Sequence, residues 1–422
     1  MIDLSEFVNV HMSDDTTRLL LDKARWPEID MDLAVNCIES RRKLRTKVPE
    51  WYKEPMLVFP RKLSAEQCSS SATGRYKSSL AERIALSAGK KENEWNLADL
   101  TGGLGVDSWF FSKKAAKVLY NEMHTELCTA AKHNFSVLNA GNIEISNHAV
   151  TSSKSVISGE TGMSPDTLLS AFRPDIIFMD PARRGEGGRK VFLIEECTPD
   201  VLILKDELFD ICSNILLKLS PMADIKMVCD RLGRQCREVH IVSAGSECKE
   251  LLVWMDKEWS DEYSVHAVEL DNDDEHHEFI FRPSEEKAAI MIPCMDPMAS
   301  FLFEPGKSLM KSGAFNLISE RFGIAKLGRS THYYTVDSHE IADELKPYGK
   351  IFRIIRVTPL DKRSIKAAGK EFPIAEVTAR NIPMDTEALR KKLGVTSGSD
   401  THIFGLKSDT QGNLLMVTTK VL

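Results

Sequence analysis

From about residue 95 to residue 255, short apolar segments alternate with amphipathic ones. The apolar segments include WNLADL, AKVLYNE, IEISNH, DIIFMD and ILLKLS, and two amphipathic segments between them read VDSWFFSKKA and TELCTAAKHNFSVL. Strands and helices that alternate at this spacing are typical of βαβ units with a mostly parallel sheet. The closely spaced segments VHIVSA and ELLVWM predict an antiparallel hairpin at the end of that sheet. The sequence therefore predicts an α/β domain over residues 91–262.

The rest of the sequence predicts three further regions, because a chain of 422 residues exceeds the usual size of one domain. Residues 1–90 have apolar residues at helical spacing, which predicts an N-terminal helical region. Residues 263–338 predict a small α+β connecting domain with a βαβ unit after Pro297. Residues 339–422 alternate strands and helices again, and they predict a C-terminal α+β domain.

Charge is distributed unevenly along the chain. The formal net charge of the whole chain is −7, which argues against a protein that coats nucleic acid indiscriminately. Between Lys346 and Lys392, however, there are twelve lysines and arginines but only five acidic residues, a local net charge of +7. Such a segment is either a solvated surface or a surface that binds phosphate groups.

The cysteines and the N-terminal sequence indicate the compartment. The nine cysteines form no CxxC pair and have no histidines at zinc-finger spacing, so we expect reduced packing residues and no metal site. The sequence MIDLSEFVNVHMSDD lacks the basic and apolar regions of a signal peptide. No stretch approaches the roughly 18 apolar residues that a membrane-spanning helix needs. We therefore expect a cytoplasmic protein that does not enter a membrane.

The turn DLTGGLGVDS follows the first strand of the predicted sheet. This turn lies at the carboxyl edge of the strands, where open α/β folds bind ligands, and its glycines allow a ligand to approach the backbone. Asp99 stands three positions before the first glycine, where a carboxylate would repel the pyrophosphate of a dinucleotide. S-adenosylmethionine carries an ammonium and a sulfonium group and no phosphate. The turn therefore favours S-adenosylmethionine over NAD.

Two further strands end in acidic residues at the same edge. Glu122 follows the second strand, at a position from which a carboxylate reaches both ribose hydroxyls of a nucleoside. The strand DIIFMD places Asp180 and Pro181 beside the glycine turn. A rigid proline and a carboxylate at this point suit contact with a methyl acceptor, so Asp180 and Pro181 are the candidate catalytic residues.

Together, DLTGGLGVDS, Glu122 and the segment DPARR resemble the motifs of class I S-adenosylmethionine-dependent methyltransferases. With EQCSSSATGRYKSSL, LFEPGKSLMKSGAF and the basic C-terminal region, the whole chain resembles a bacterial methyltransferase family with a THUMP-like C-terminal domain. The resemblance implies a Rossmann-like seven-stranded α/β sheet, an N-terminal helical region and C-terminal α+β domains of ferredoxin-like or THUMP-like type. It also implies a set of cofactor-binding residues, namely Asp99, Thr101, Gly102, Gly103, Gly105 and Asp107 in the turn, Glu122 at the ribose, and Asn147 and His148 near the adenine.

THUMP domains are associated with RNA. Together with the basic C-terminal segment, this association leads us to expect a base in tRNA or rRNA as the methyl acceptor. Arg183 and Arg184 are candidates for binding a phosphate, since guanidinium groups bind phosphates with two hydrogen bonds. Arg75, Tyr76 and Lys77 combine cations with a ring and are candidates for binding a base and its phosphate. The alternative for these three residues is an ordinary capped helix that enters the sheet.

The sequence leaves the acceptor chemistry open. The segment DPARR lacks the aromatic ring that base N-methyltransferases have after this motif, and Ser220 stands where uridine C5-methyltransferases have a nucleophilic cysteine. A methyltransferase with a protein or small-molecule acceptor is therefore one alternative. A protein that binds cofactor and RNA and assists RNA assembly without catalysis is another.

Overall fold

A computed structural model describes residues 3–157, 161–183, 193–245, 247–271, 276–398 and 400–421. The chain divides into two compact units, of which the first comprises residues 1–239 and 249–261 and the second comprises residues 240–248 and 262–422. Over the described ranges, the helices are too short or too polar for any of them to span a bilayer.

The first unit begins with a helical region, as predicted. Its helices are α1 (Leu4–Val10), α2 (Thr16–Leu21), α3 (Met31–Lys47), α4 (Pro49–Tyr52), α5 (Lys62–Gln67) and α6 (Ser71–Ser87). Ser70 caps α6 with a reciprocal capping box, which satisfies backbone groups at the helix start. Trp51 and Phe59 of this region pack in one apolar core with Trp109, Phe110 and Phe135 of the following α/β domain. The helical region and the sheet therefore share a core.

The α/β region that follows the N-terminal helices has the predicted alternation of strands and helices. In chain order it contains β1 (Asn96–Asp99), α7 (Val106–Phe111), β2 (Lys117–Asn121), α8 (Thr125–Val137), β3 (Ile143–Ser146), α9 (Ser153–Ile157), α10 (Pro165–Leu169), β4 (Ile176–Met179), the short β5 (Ala182–Arg183) and β6 (Cys197–Thr198), α11 (Val201–Ile211), β7 (Asn214–Leu219), α12 (Ile225–Leu232), β8 (Cys236–Ala244) and β9 (Glu247–Asp256). Seven neighbouring strands of a nine-stranded sheet have the order β8-β9-β7-β4-β1-β2-β3, which is the predicted Rossmann-like arrangement.

Strand direction in this sheet determines where the polar residues gather. Strands β3, β2, β1, β4 and β7 are parallel, and β9 runs antiparallel to β7. Every residue of β4 and β7 is buried, as expected for central strands covered on both faces. Because the parallel strands end at one edge, the residues that follow β1, β2 and β4 come together there.

The second unit contains a hairpin and a second sheet. Its elements are β10 (Ser264–Leu270), β11 (His276–Phe281), α13 (Pro283–Ala288), β12 (Phe301–Pro305), α14 (Lys307–Ser312), α15 (Leu317–Phe322), β13 (Ala325–Lys326), β14 (Tyr334–Val336), α16 (His339–Leu345), β15 (Gly349–Pro359), α17 (Lys362–Glu371), β16 (Glu376–Arg380), α18 (Thr386–Leu393), β17 (Thr401–Ser408) and β18 (Gly412–Lys420). The order in the second sheet is β13-β14-β12-β15-β18-β17-β16.

The βαβ unit predicted after Pro297 is wrong. Strand β14 pairs antiparallel with β12, whereas a βαβ unit requires parallel strands. The short strand β13 is the reason, because it pairs antiparallel with β14 and so reverses the chain once more before β14 reaches β12.

Strands on both sides of the predicted boundary at residues 338/339 belong to this one sheet. Strand β12 pairs antiparallel with β15, and Leu302 and Tyr333 share an apolar core with Phe352, Phe404 and Met416. A truncation at this boundary would expose that core, so a test of the C-terminal region needs substitutions in the intact chain. The four domain ranges derived from the sequence stay a prediction.

Helices α17 and α18 approach each other closely at Gly369, which yields a test of this packing. A Cβ atom at Gly369 would overlap the backbone carbonyl of Leu393. Glycine to alanine normally stabilises a helix interior by about 1 kcal/mol. We expect Gly369→Ala instead to lower the free energy of unfolding by about 1–3 kcal/mol, because the helices must move apart. Chemical denaturation measures this change.

Gly141 provides the matched control, because a Cβ atom there meets no atom within 4 Å. Gly141→Ala should leave the free energy of unfolding nearly unchanged. A Gly369→Ala variant as stable as the parent would contradict the close packing of α17 on α18.

Candidate active site

A cavity of about 920 Å³ opens at the carboxyl edge of β1, β2 and β4 in the first unit. Most of the residues predicted for the cofactor and for catalysis line it, namely Asp99, Thr101, Gly102, Gly103, Gly105, Asp107, Glu122, His148, Asp180 and Pro181. Residues more than 80 positions apart in the sequence therefore meet in one cavity.

The glycine turn lies close against β2. Gly105 has φ +91° at the start of α7, a left-handed conformation that favours glycine. A Cβ atom at Gly102 would overlap the ring of Tyr120, so this position has no room for a side chain. The Tyr120 hydroxyl donates a hydrogen bond of 2.7 Å to the carbonyl oxygen of Gly103. Packing and hydrogen bonding thus hold the turn in one conformation.

Asp99, the last residue of β1, stabilises the glycine turn through hydrogen bonds. Its carboxylate accepts hydrogen bonds from the Thr101 backbone N–H at 3.0 Å and from the Ser108 hydroxyl at 2.6 Å. Burial nevertheless raises the pKa of Asp99 to about 7, because the side chain is almost fully enclosed. The Thr101 hydroxyl oxygen in turn accepts a 2.6 Å hydrogen bond from the backbone N–H of Asp180. The turn after β1 and the loop after β4 are therefore directly connected.

Glu122 connects the end of β2 to the same turn. Its two carboxylate oxygens accept hydrogen bonds from the backbone N–H groups of Gly103 and His124, both at 2.9 Å. The Asn147 amide donates a 2.7 Å hydrogen bond to the Glu122 carbonyl oxygen and accepts one of 2.8 Å from the Thr125 hydroxyl. Asn147 therefore supports the loop that carries Glu122, whereas the adjacent His148 lines the cavity.

Asp180 forms an ion pair that the sequence analysis did not anticipate. The Lys218 Nζ lies 2.5 Å from Asp180 Oδ2 and 3.7 Å from Asp107 Oδ2. Burial works against the charge of Lys218, but Asp180, Asp107 and Glu250 together raise its pKa above the usual range of a lysine. Lysine is rarely buried without a partner, so a lysine inside the apolar segment ILLKLS was the available sequence signal.

A second buried lysine extends this arrangement. The Lys77 Nζ lies 2.5 Å from Glu250 Oε1 and 3.4 Å from Asp107 Oδ1. Burial alone would raise the pKa of Asp107, but Lys77 and Lys218 lower it, and the Ser69 hydroxyl adds a 2.8 Å hydrogen bond. We refer to Lys77, Asp107, Asp180, Lys218 and Glu250 as the buried ion network. Glu250, like Lys218, was absent from the sequence-based site.

The residues predicted for substrate binding do not line the cavity where the structure describes them. Arg75 pairs with Glu50 at 2.6 Å, Tyr76 is buried, and Lys77 belongs to the buried ion network. Tyr76 and Lys77 are buried on α6, a helix with a capping box, as in the capped-helix alternative. The Arg183 side chain and all of Arg184 lie outside the described residues.

Cys68 lies at the cavity, where a thiolate nucleophile would matter. Burial raises the pKa of its thiol to about 11, so the thiol stays protonated near neutral pH. The thiol donates a 3.3 Å hydrogen bond to the carbonyl oxygen of Ala65. The position of Cys68 therefore gives no support to a reaction through a thiolate.

Comparisons with known proteins agree with this architecture. Residues 301–342 match a family model of a ferredoxin-like domain, and residues 349–420 match a THUMP domain-like family. The crystal structure of a protein from Porphyromonas gingivalis W83 that is assigned as a methyltransferase superposes with a TM-score of 0.82 at 29% identity. That superposition covers 100% of this chain and 98% of the other.

A sequence relative is an uncharacterized S-adenosylmethionine-dependent methyltransferase of Mycobacterium tuberculosis, in the strains CDC 1551 and H37Rv. It is 23% identical over 235 residues, which cover 54% of this chain and 59% of the relative. The match thus spans little more than half of either protein. Fold and comparisons together define an S-adenosylmethionine-dependent methyltransferase-like protein. Its C-terminal part consists of ferredoxin-like and THUMP-like domains, which confirms the resemblance and the fold class predicted from the sequence.

The raised pKa of Asp99 predicts a pH-dependent stability. The folded protein binds the Asp99 proton more tightly than the unfolded chain, whose aspartates have a pKa near 4. Asp99 therefore contributes stability at low pH that is lost as the pH rises to about 7. Asp99→Asn does not titrate, so its stability relative to the parent should rise by about 1.4 kcal/mol per pH unit between roughly pH 4 and pH 7, and then level off. Urea denaturation across this range measures it.

Asp166→Asn is the control, because Asp166 is exposed on α10. A pH-dependent change in stability that both variants share would not be specific to the buried Asp99 carboxylate. A constant difference between Asp99→Asn and the parent at all pH values would show that burial does not perturb Asp99.

Proposed function

We propose that this chain binds S-adenosylmethionine in the cavity of the first unit and transfers its methyl group to an acceptor. One observation carries the proposal: the Glu122 carboxylate lies beside the glycine turn and accepts the Gly103 backbone N–H, a group that a pyrophosphate would need. Such a turn suits a cofactor with ammonium and sulfonium groups and disfavours a pyrophosphate. The match to S-adenosylmethionine-dependent relatives supports the same assignment.

The proposed roles follow from the geometry. Gly102, Gly103 and Gly105 leave room for the methionine part of the cofactor, and Asp99 and Thr101 keep the turn in place. Each carboxylate oxygen of Glu122 accepts one backbone hydrogen bond and retains a lone pair for a ribose hydroxyl. His148 contributes to the adenine end of the cavity.

Asp180 and Pro181 border the acceptor side. The cofactor supplies an activated sulfonium methyl group when bound, so the protein mainly has to align the acceptor and exclude water. The Asp180 side chain is 38% exposed and can accept a hydrogen bond from the acceptor. Pro181 stiffens the loop that presents it.

We propose a base in tRNA or rRNA as the acceptor, with the THUMP-like domain as the RNA-binding part. Lys362, Arg363 and Lys366 are exposed on α17, and Lys391 and Lys392 are exposed on α18. Both helices pack on one core with the sheet, so their cations belong to a rigid unit. Rigid clusters of exposed cations suit phosphate binding. We place the reaction in the cytoplasm, since free cysteines suit a reducing compartment.

Calorimetry with S-adenosylmethionine and NAD tests the cofactor. We expect binding of S-adenosylmethionine and none of NAD. Glu122→Gln should weaken cofactor binding by about 1–3 kcal/mol, because a charged hydrogen-bond acceptor for the ribose is lost. Glu144→Gln is the matched control, because Glu144 is exposed on β3 and pairs with Lys117. Binding of NAD alone, or equal losses in both variants, would contradict the proposed site.

Salt-dependent RNA binding tests the acceptor. Changing Lys362, Arg363 and Lys366 to glutamine should weaken binding to unfractionated tRNA and rRNA and lower the salt slope by about one unit per lost phosphate contact. Base selectivity should change little, because phosphate contacts carry no sequence information. The matched control changes Arg18, Lys23 and Arg25, three exposed cations of the first unit, to glutamine.

Transfer of a labelled methyl group from S-adenosylmethionine to the same RNA completes the test. Transfer to RNA that disappears after ribonuclease treatment supports the proposal. A parent protein that shows no salt-dependent affinity for RNA would favour a protein or small-molecule acceptor. RNA binding without transfer would favour a non-catalytic assembly factor.

A further inference from the structure

Lys218 is the one cation of the buried ion network that contacts Asp180 in the described part of the chain. The Lys218 side chain is 11% exposed and projects from β7, a strand buried along its whole length. Its Nζ lies 2.5 Å from Asp180 Oδ2. The other lysine of the network, Lys77, pairs with Glu250 and Asp107 instead. Among the described residues, removal of Lys218 would therefore leave Asp180 without a cationic partner at the cavity.

We propose that Lys218 is a positioning residue that neutralises the charge of Asp180. The pairing thereby limits how strongly the acceptor side of the cavity prefers the cationic methyl donor over its neutral product. The inference rests on the proposed function, because it assumes S-adenosylmethionine in this cavity. Lys218 also holds one oxygen of Asp180, while the partly exposed carboxylate can still accept a hydrogen bond from the acceptor.

The charge of the Lys218–Asp180 pair matters because the cofactor loses its positive charge during methyl transfer. The methyl carbon forms a bond to the acceptor atom while its bond to sulfur breaks, and the electron pair of that bond stays on sulfur. The sulfonium thereby becomes a neutral thioether, S-adenosylhomocysteine, and its positive charge passes to the acceptor, which can then release a proton. An unpaired carboxylate beside the sulfonium stabilises the ground state more than a transition state in which that charge is leaving. Pairing with Lys218 removes this excess stabilisation.

The preference for the charged donor over the neutral product measures this effect without an acceptor. Calorimetry at pH 8 and low salt compares the dissociation constants of S-adenosylmethionine and S-adenosylhomocysteine for the parent, Lys218→Met, Asp180→Asn and the double variant. Lys218→Met leaves a negative charge and should raise the preference for S-adenosylmethionine about tenfold, the order expected for one charge several ångströms away in a half-exposed site. Asp180→Asn leaves a positive charge and should lower the preference.

The double variant is neutral again and should return to within about twofold of the parent preference, and Lys218→Arg should keep the parent preference. A merely structural role of Lys218 would weaken both ligands equally and leave the preference unchanged in every variant, which would overturn the inference. If Lys218→Met does not fold, the comparison of Asp180→Asn with the double variant still tests the proposal. The same preference for S-adenosylmethionine over S-adenosylhomocysteine in these two variants would contradict it. Failure of the parent to bind either ligand would instead contradict the proposed function.

Discussion

Two buried lysines and the three carboxylates that pair with them, of which Asp180 is partly exposed, constrain the first unit more than any other interaction. Burying a charge is costly unless an opposite charge and hydrogen bonds compensate for it, and the loss of one partner leaves the others uncompensated. The buried ion network draws Lys77 from α6, Asp107 from α7 and Lys218 from β7, with Asp180 after β4 and Glu250 on β9. Each of these elements must be in place before the network is satisfied. The N-terminal helical region therefore contributes one residue, Lys77, to the buried ion network.

The same coupling extends from the glycine turn after β1 to the loop after β4. Asp99 supports the glycine turn, Thr101 accepts a hydrogen bond from the Asp180 backbone, and Asp107 contacts Lys218. Distortion at the glycine turn therefore reaches Asp180 through two short routes. Because Lys218 pairs with Asp180, this carboxylate suits a role as a hydrogen-bond acceptor within a neutral pair. This arrangement agrees with a reaction in which alignment of donor and acceptor matters more than a strong base.

The candidate RNA contacts belong to the second unit, whereas the residues that line the cavity belong to the first. Its sheet combines the ferredoxin-like and THUMP-like ranges, because β12 pairs with β15 across the connection between them. The exposed cations of α17 and α18 rest on the core beneath these helices, so their spacing depends on contacts such as Gly369 against Leu393. Substitution of surface cations therefore reports on RNA binding, and not on loss of the fold, only if that core stays intact.

Local patterns in the sequence were sufficient to predict the elements of the α/β region and the residues that meet at one cavity. Apolar periodicity predicted the alternation of strands and helices, and the rule that parallel strands end at one edge placed Asp99, Glu122 and Asp180 together. These features depend on neighbours in the chain, which is why they could be read without coordinates. Tertiary structure alone decided the partners of those residues. Lys218 and Glu250 reach the cavity from β7 and β9, far from the glycine turn in sequence, and α6 turns Lys77 inward rather than toward a substrate. Strand β14 likewise reversed relative to β12 because of a two-residue strand too short to stand out in the sequence. Pairings between distant residues depend on how the elements pack, and an ion pair becomes strong only where that packing removes water.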